Sequence, residues 1–165
     1  MCRWFESSRA HQNDLMDESQ LMALALEEAE AAARVGEVPV GAVLACLDGT
    51  VLARNHNRRE ESGDPTAHAE ILVIREAARL LRGWRLTGTV LVVTLEPCLM
   101  CAGAMILARI DRLVYGADDP KAGAVASLYQ VVGDERLNHR LTARSGVMEA
   151  ASRSVLQSFF RDRRR

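Results

Sequence analysis

The sequence lacks three features that each mark a class of proteins. Its apolar runs are much shorter than a membrane span, and residues 1–20 contain no apolar segment of the kind found in secretory signal peptides. Its four cysteines are too few and too irregularly spaced for a disulfide-stabilised secreted domain. The sequence therefore predicts a cytoplasmic protein, and 165 residues are enough for one domain with a single core.

Lysine is also scarce. Of 21 basic residues, Lys121 is the only lysine, and the formal net charge of −1 gives no overall sign of binding to nucleic acid. The arginines are concentrated at the C-terminus, where residues 161–165 read RDRRR. Such a tail is typical of a phosphate-binding surface. It is equally typical of an exposed helix end, where cations favour the negative pole of the helix dipole.

The hydrophobic pattern predicts helices alternating with strands. Helices are expected over residues 21–35, 67–81, 98–108 and 149–163, with Ser19 and Thr66 as the N-caps of the first two. Strands are expected over residues 38–47, 50–55, 89–95, 112–117 and 140–147, the first two joined by an Asp48-Gly49 turn. This order predicts an α/β fold, a three-layer α/β/α sandwich with a mixed five-stranded sheet. Residues 1–18 are predicted to be a poorly ordered extension and residues 19–165 the single domain.

Two short stretches carry residues suited to metal chemistry. Residues 65–71 read PTAHAEI and residues 94–104 read TLEPCLMCAGA. Cys98 and Cys101 are three apart at the start of a predicted helix, so both sulfurs lie on one side near its positive end, which favours thiolates. His68 and Glu70 do not share a helix face. Both can therefore serve one site only if the first turn of their helix meets it end-on.

Together these residues match the needs of a catalytic zinc site. Two thiolates and one imidazole supply three ligands, and a tetrahedral zinc ion then keeps a fourth position for water. Glu70 is left free to act on that water.

Other readings of the cysteine pair fit the sequence less well. A redox pair of the thioredoxin type explains neither His68 nor Glu70. A structural zinc site needs a fourth strong ligand. Cys46 lies inside an apolar strand, where a small buried side chain is the expected role, and Cys2 belongs to the predicted extension.

The combined pattern H-x-E followed by P-C-x-x-C is the signature of zinc-dependent nucleobase deaminases. Over about residues 19–165 the chain resembles the bacterial tRNA-specific adenosine deaminases. Several further stretches carry the resemblance: VPVGAV at 38–43, DPTAHAE at 64–70, DPKAGA at 119–124 and FFRDRR at 159–164. The resemblance implies a cytidine-deaminase-like fold, a homodimer, and hydrolysis of the wobble adenosine in a tRNA anticodon loop to inosine by zinc-activated water.

The resemblance also implies a role for individual residues. His68, Cys98 and Cys101 would hold one zinc ion per subunit, and Glu70 would be the catalytic proton shuttle. The remaining roles concern the RNA. Asn57 would contact the base, Pro39 and Val40 would line the pocket wall, and Asp119 and Lys121 would touch the flanking nucleotides. The anticodon stem and loop would lie along Phe159, Arg161, Arg163 and Arg164.

Two other functions compete with this one. A zinc deaminase of free nucleobases or nucleosides, of the guanine or cytidine type, would share the metal motif. The arginine-rich terminal segment and the DPKAGA stretch favour a polynucleotide substrate instead. A tRNA-binding subunit without activity is the second competitor, and the presence of Glu70 argues against it, because a purely structural zinc ion needs no free carboxylate beside it.

Overall fold

Helices and strands alternate along residues 17–163, the part of the chain that the computed structural model describes. The helices are α1 (Glu18–Arg34), α2 (Arg59–Ser62), α3 (Ala69–Leu80), α4 (Leu99–Ala108) and α5 (Glu149–Asp162). The strands are β1 (Gly41–Cys46), β2 (Val51–His56), β3 (Thr89–Leu95), β4 (Arg112–Ala117) and β5 (Thr142–Arg144). Residues 1–16 of the predicted extension lie outside the described residues. None of the described helices combines the length and the apolar character needed to cross a bilayer.

The five strands form one mixed sheet in the order β2-β1-β3-β4-β5. β1 pairs antiparallel with β2 and β3, whereas β4 is parallel to both β3 and β5. The antiparallel half follows from the tight turn at Asp48-Gly49, where the Thr50 amide donates to Asp48 Oδ1 at 2.9 Å. The parallel pair β3–β4 needs a crossover, which α4 supplies. The predicted mixed five-stranded sheet is confirmed.

Helices cover both faces of this sheet. On one face, α3 and α4 pack on a core that includes Leu44, Leu91 and Met105. On the other, α1 and α5 pack on a second core that includes Met22 and Val43. Neighbouring residues of β1 therefore point into different cores, as the alternation of side chains along a strand requires. The three-layer sandwich is confirmed.

Gly41, the first residue of β1, allows α1 to lie directly against the sheet. A Cβ atom at this position would lie 2.0 Å from the Ala25 carbonyl oxygen and 2.5 Å from the Ala29 nitrogen. Both atoms belong to the α1 backbone, so they cannot move aside as a flexible side chain would. Glycine is thus required where these two backbones meet.

The predicted N-cap Ser19 is wrong. α1 begins two residues earlier, with Asp17 as its N-cap and Gln20 completing a capping box. The helix therefore includes the last residue of the predicted extension, Glu18, whose carboxylate forms ion pairs with Arg112 of β4 and Arg144 of β5.

The predicted N-cap Thr66 is wrong as well. Its amide and hydroxyl both donate to Asp64 Oδ1 at 2.7 Å, and His68 occupies the cap position of α3. Glu70 then lies in the first turn, so the end-on placement of His68 and Glu70 is confirmed. The short helix α2, in the polar stretch after β2, is an element that the sequence pattern did not predict.

Candidate active site

An imidazole and two thiols meet where two helices begin. His68 Nδ1 lies 3.8 Å from Cys98 Sγ and 3.6 Å from Cys101 Sγ, and the possible ligand atoms of the three residues all lie within 4.8 Å of one another. His68 is the N-cap of α3 and Cys98 is the N-cap of α4. The fold thus brings together residues that are 30 and 33 positions apart along the chain.

These three groups share protons through hydrogen bonds, and a bound cation would displace the protons of Cys101 and His68, because metal ligands bind in their deprotonated forms. The hydrogen bond from the Cys101 thiol, with help from His68, lowers the pKa of Cys98, whereas its bond to Cys98 and its burial raise the pKa of Cys101. The bond to Cys98 raises the pKa of His68. Within residues 17–163 this is the only group of three or more such side chains with ligand-like spacing. Two sulfurs and an imidazole are the donor set that zinc prefers, and three protein ligands leave a position open.

Glu70 points a buried carboxylate at the same place. Its residue is 3% exposed, and Oε2 is buried without a hydrogen-bond partner among the described residues. Burial raises the pKa of this carboxyl group above its ordinary value. Buried carboxylate oxygens are normally paired, so an unpaired one in a cavity is explained by a ligand that it serves.

His68, Glu70 and Cys98 border a small cavity of about 130 Å³. Its apolar wall consists of Val38, Val40 and Leu95. The polar lining residues are Asn57, Arg59, His68, Glu70, Glu96, Cys98 and Asp119, and Ala122 completes the lining. An apolar wall together with a few polar groups is typical of a site for a small molecule or a single base.

Asn57 ties this cavity to the start of α3. The residue is 5% exposed, and its side-chain oxygen accepts a hydrogen bond from the Ala69 backbone amide at 2.9 Å. Its backbone amide donates to the Val40 carbonyl at 3.1 Å. The oxygen is therefore committed to the helix terminus. The side-chain NH₂ group is the part that remains to donate to a ligand in the cavity.

Comparison with known proteins identifies the family. A family model described as MafB19-like deaminase matches residues 16–164. A tRNA-specific adenosine deaminase of Agrobacterium fabrum is 49% identical over 150 residues, which are 91% of this chain and 98% of the relative. This chain belongs to the tRNA-specific adenosine deaminase family.

Solved structures agree with this assignment. The structure from a study of A-to-I editing by tRNA:A34 deaminases at the wobble position is 51% identical to this deaminase. It matches with a TM-score of 0.80, covering 84% of this chain and 99% of that one. A guanine deaminase from Nitrosomonas europaea is 24% identical with a TM-score of 0.73, over 89% of this chain and 86% of that one. The second likeness concerns the fold alone.

Two of the predicted substrate residues of this deaminase lie close to the cavity without lining it. Pro39 is buried between Val38 and Val40, which both line the cavity. Lys121 is exposed, and its amide donates to Asp119 Oδ1 at 2.9 Å. Pro39 thus supports the wall from behind, and Lys121 lies next to the loop residue that does line it.

None of the described C-terminal residues predicted to contact RNA lines this cavity. Phe159 and Arg163 line a groove between α5 and the end of α1, on the face of the sheet opposite α3 and α4. The Arg163 guanidinium donates to the Gly36 carbonyl and lies 4.4 Å from the centre of the Phe159 ring. Arg161 donates to Ser158 Oγ at 3.1 Å. Arg164 is outside the described residues.

Two charged lining residues were not predicted, Arg59 and Glu96. Glu96 is 2% exposed. Burial opposes its ionisation, but hydrogen bonds from Ser127, Ala126 and Asp119 outweigh that effect and lower its pKa to about 2. The signal in the sequence that could have identified Glu96 is a charged residue between a buried strand and Pro97-Cys98.

Proposed function

We propose that this chain hydrolyses the wobble adenosine of a tRNA anticodon loop to inosine, releasing ammonia. One observation carries the chemistry: Glu70, with an unpaired buried carboxylate oxygen, lines a small cavity together with His68 and Cys98, and Cys101 lies within ligand distance of both. The substrate class is supported by relatives that are named tRNA-specific adenosine deaminases at 43–49% identity.

His68, Cys98 and Cys101 are the residues proposed to hold one zinc ion in each subunit. When bound, zinc supplies an activated water, because it lowers the pKa of that water towards about 7. The support is the donor set and its spacing within 4.8 Å.

Glu70 is proposed to carry the protons. Its carboxylate takes a proton from the attacking water and passes it to N1 of adenine as oxygen adds at C6. It then takes the second proton from the hydroxyl now on C6 and delivers it to the departing amino group as the C6–N bond breaks and a carbonyl forms at C6, so that one water is consumed and one ammonia is released. Its buried position keeps bulk water away from this exchange, and burial raises the pKa of its carboxyl group.

The remaining lining residues orient the base. The Asn57 NH₂ group donates to a ring nitrogen of the base, and Val38 and Val40, backed by Pro39, form the apolar surface against which the ring lies. An anticodon loop suits such a site, because a base in a single-stranded loop leaves its stack at lower cost than a base in a duplex.

Asp119 and Lys121 are proposed to contact the nucleotides on either side of the target. Phe159, Arg161, Arg163 and Arg164 are proposed to follow the anticodon stem and loop. The protein is further proposed to act as a homodimer in the cytoplasm, as the family resemblance implies.

The arginine tail gives a test of the RNA path. Arg161→Ala and Arg164→Ala should weaken binding of an anticodon stem-loop and flatten its salt dependence, because each phosphate contact releases a counterion. Arg163 is the matched comparison: it already donates to the Gly36 carbonyl, so Arg163→Ala should also lower the melting temperature. Unchanged affinity and salt slope in all three variants would remove the tail from the interface.

The decisive experiment compares two synthetic anticodon stem-loops with zinc-loaded protein. One carries adenosine at the wobble position and the other carries cytidine. Inosine from the first and no uridine from the second is the expected result. Neither product, with one zinc per chain, would exclude the tRNA function, and guanine, adenosine and cytidine as free substrates would then test the alternative of a nucleobase or nucleoside deaminase.

A further inference from the structure

Glu96 collects five hydrogen bonds from one loop. Its Oε1 atom accepts from three consecutive amides, those of Val125, Ala126 and Ser127, at 3.1, 2.8 and 2.9 Å. Its Oε2 atom accepts from the Asp119 amide at 3.0 Å and from the Ser127 hydroxyl. Consecutive amides that converge on one oxygen form an anion-binding concavity, here filled by a side chain of the same protein.

The same loop, residues 118–127, is tied to the start of α4 by its backbone. The Ala124 amide donates to the Pro97 carbonyl at 2.8 Å, and Gly123 forms an isolated β-bridge with Cys98. A Cβ atom at Gly123 would lie 2.3 Å from the Glu96 carboxylate and 2.6 Å from the Asp119 carbonyl oxygen. The loop is therefore built closely around the Glu96 carboxylate.

This arrangement matters because the loop borders the candidate active site. Asp119 and Ala122 of the loop line the same cavity as Asn57 and Glu70. Glu96 lines it too, but both of its oxygens already accept hydrogen bonds from the loop. A carboxylate that is engaged in this way is not suited to move protons, and its effect on a ligand must pass through the loop.

We infer that Glu96 is a positioning residue that sets how this deaminase binds the nucleotides flanking its target, by holding the 118–127 loop at the cavity. The inference rests on the proposed function, because only a polynucleotide has flanking nucleotides. It assigns Glu96 no part in metal binding or in the chemical step. It predicts that a change at Glu96 acts on substrate binding and only where neighbouring nucleotides are present.

Glu96→Gln is the sharpest perturbation, because glutamine keeps the shape while replacing one acceptor oxygen by a donor. That donor then faces the Asp119 amide, which also donates. Ser127→Ala is a gentler second variant that removes one of the five hydrogen bonds. Glu37→Gln is the matched control: Glu37 is also 2% exposed and accepts the Glu61 amide at 2.8 Å, but it does not line the cavity.

The experiment measures kcat, KM and zinc content on two stem-loops. One is intact, and the other has abasic nucleotides on both sides of the target adenosine. On the intact loop we expect Glu96→Gln to raise KM by about tenfold or more, the usual effect of losing hydrogen bonds to a charged group. Ser127→Ala should act in the same direction and less strongly. Zinc content, kcat and the Glu37→Gln control should stay at wild-type values.

The abasic loop distinguishes positioning from a general structural defect. There, wild type and Glu96→Gln should have the same KM, because the flanking bases that the loop is inferred to bind are gone. Combining Glu96→Gln with Asp119→Ala should cost no more on the intact loop than the larger single change, because both act through one loop.

Three results would overturn the inference. Active wild type with an unchanged KM in Glu96→Gln would show that the loop needs no such anchor. A fall in kcat on both loops, or a loss of zinc, would place Glu96 in the chemistry or the metal site. Wild type that forms no inosine from either loop would reject the proposed function itself, and this inference with it.

Discussion

Replacing Glu70 by glutamine separates proton transfer from packing at the centre of the cavity. The two side chains have the same shape, and Glu70 is 3% exposed, so the substitution changes chemistry at nearly constant volume. Oε2 has no hydrogen-bond partner among residues 17–163, so no described contact of that atom is lost. We therefore expect the free energy of unfolding to be unchanged or slightly higher, while turnover falls.

The size of the loss follows from the surroundings of Glu70. General acid–base catalysis contributes about 10²–10⁴ in rate, or roughly 2.7–5.5 kcal/mol of activation free energy. Glu96, the other buried carboxylate that lines the cavity, is not suited to take over, because five hydrogen bonds hold it. We expect the full loss in Glu70→Gln.

The assay is single-turnover inosine formation on an adenosine stem-loop, with zinc measured in the same sample. Glu37→Gln is the control, an equally buried carboxylate that accepts the Glu61 amide. It should lose about 1 kcal/mol of stability and keep its turnover. Zinc-loaded Glu70→Gln with turnover within tenfold of wild type would refute the role of Glu70. A loss of zinc in the same sample would contradict the prediction that Glu70 transfers protons without helping to hold the metal.

Other predictions concern the frame of the site. Gly41→Ala should lower the free energy of unfolding by about 1–3 kcal/mol or more in urea titrations, and an unchanged midpoint would contradict the close approach to α1. Gly123→Ala should raise KM on an intact stem-loop more than on an abasic one, and equal effects on both would count against the loop. Removing metal with a chelator should abolish activity and lower the melting temperature, and adding zinc should restore both. The same melting temperature with and without zinc would argue against binding at this site. Hydrogen bonds that outweigh burial hold the pKa of Glu96 at about 2, below its ordinary 4.5, so its contribution to stability is present above pH 4.5 and is lost as the pH falls towards 2. Glu96→Gln should therefore flatten the acid side of a plot of melting temperature against pH, and an identical acid side would contradict this.

Local sequence patterns predicted the elements whose signals are local. β3 and β4 have the predicted bounds because each is a mostly apolar run, rich in β-branched residues in β3, that ends at polar or turn-forming residues. The His68, Cys98 and Cys101 group was predictable because metal ligands need particular residue types at short spacings, and the start of a helix is where such spacings converge.

The N-caps were mispredicted because competing cap residues stood close by. Asp17 precedes Ser19 by two positions. The ion pairs of Glu18 with β4 and β5 stabilise a helix that begins at this earlier position. Thr66 instead uses its hydroxyl and amide on Asp64. At α1 tertiary ion pairs decided between nearby cap residues, whereas at α3 a local turn with Asp64 removed Thr66 from the cap position.

The role of Glu96 could not be predicted, because its partners lie 23 to 31 residues away in a loop without periodicity. Loop backbones leave little trace in a sequence, whereas their amide groups decide where a buried carboxylate is stable. Hydrophobic periodicity predicts the helix α5 but not the side of the sheet on which it packs. Its placement on the face opposite the cavity therefore could not be predicted either.

The cap positions of α3 and α4 have a consequence for descendants of this fold. His68 and Cys98 occupy N-caps where neither side chain makes a capping hydrogen bond. Serine, threonine or aspartate there would contribute about 0.5–2 kcal/mol to each helix. The residues that catalysis needs at these two positions therefore lower the stability of both helices relative to ordinary cap residues. In a lineage released from selection for activity, serine or aspartate at these two positions would replace stabilisation by the metal with capping hydrogen bonds, leaving an inactive protein that folds without zinc.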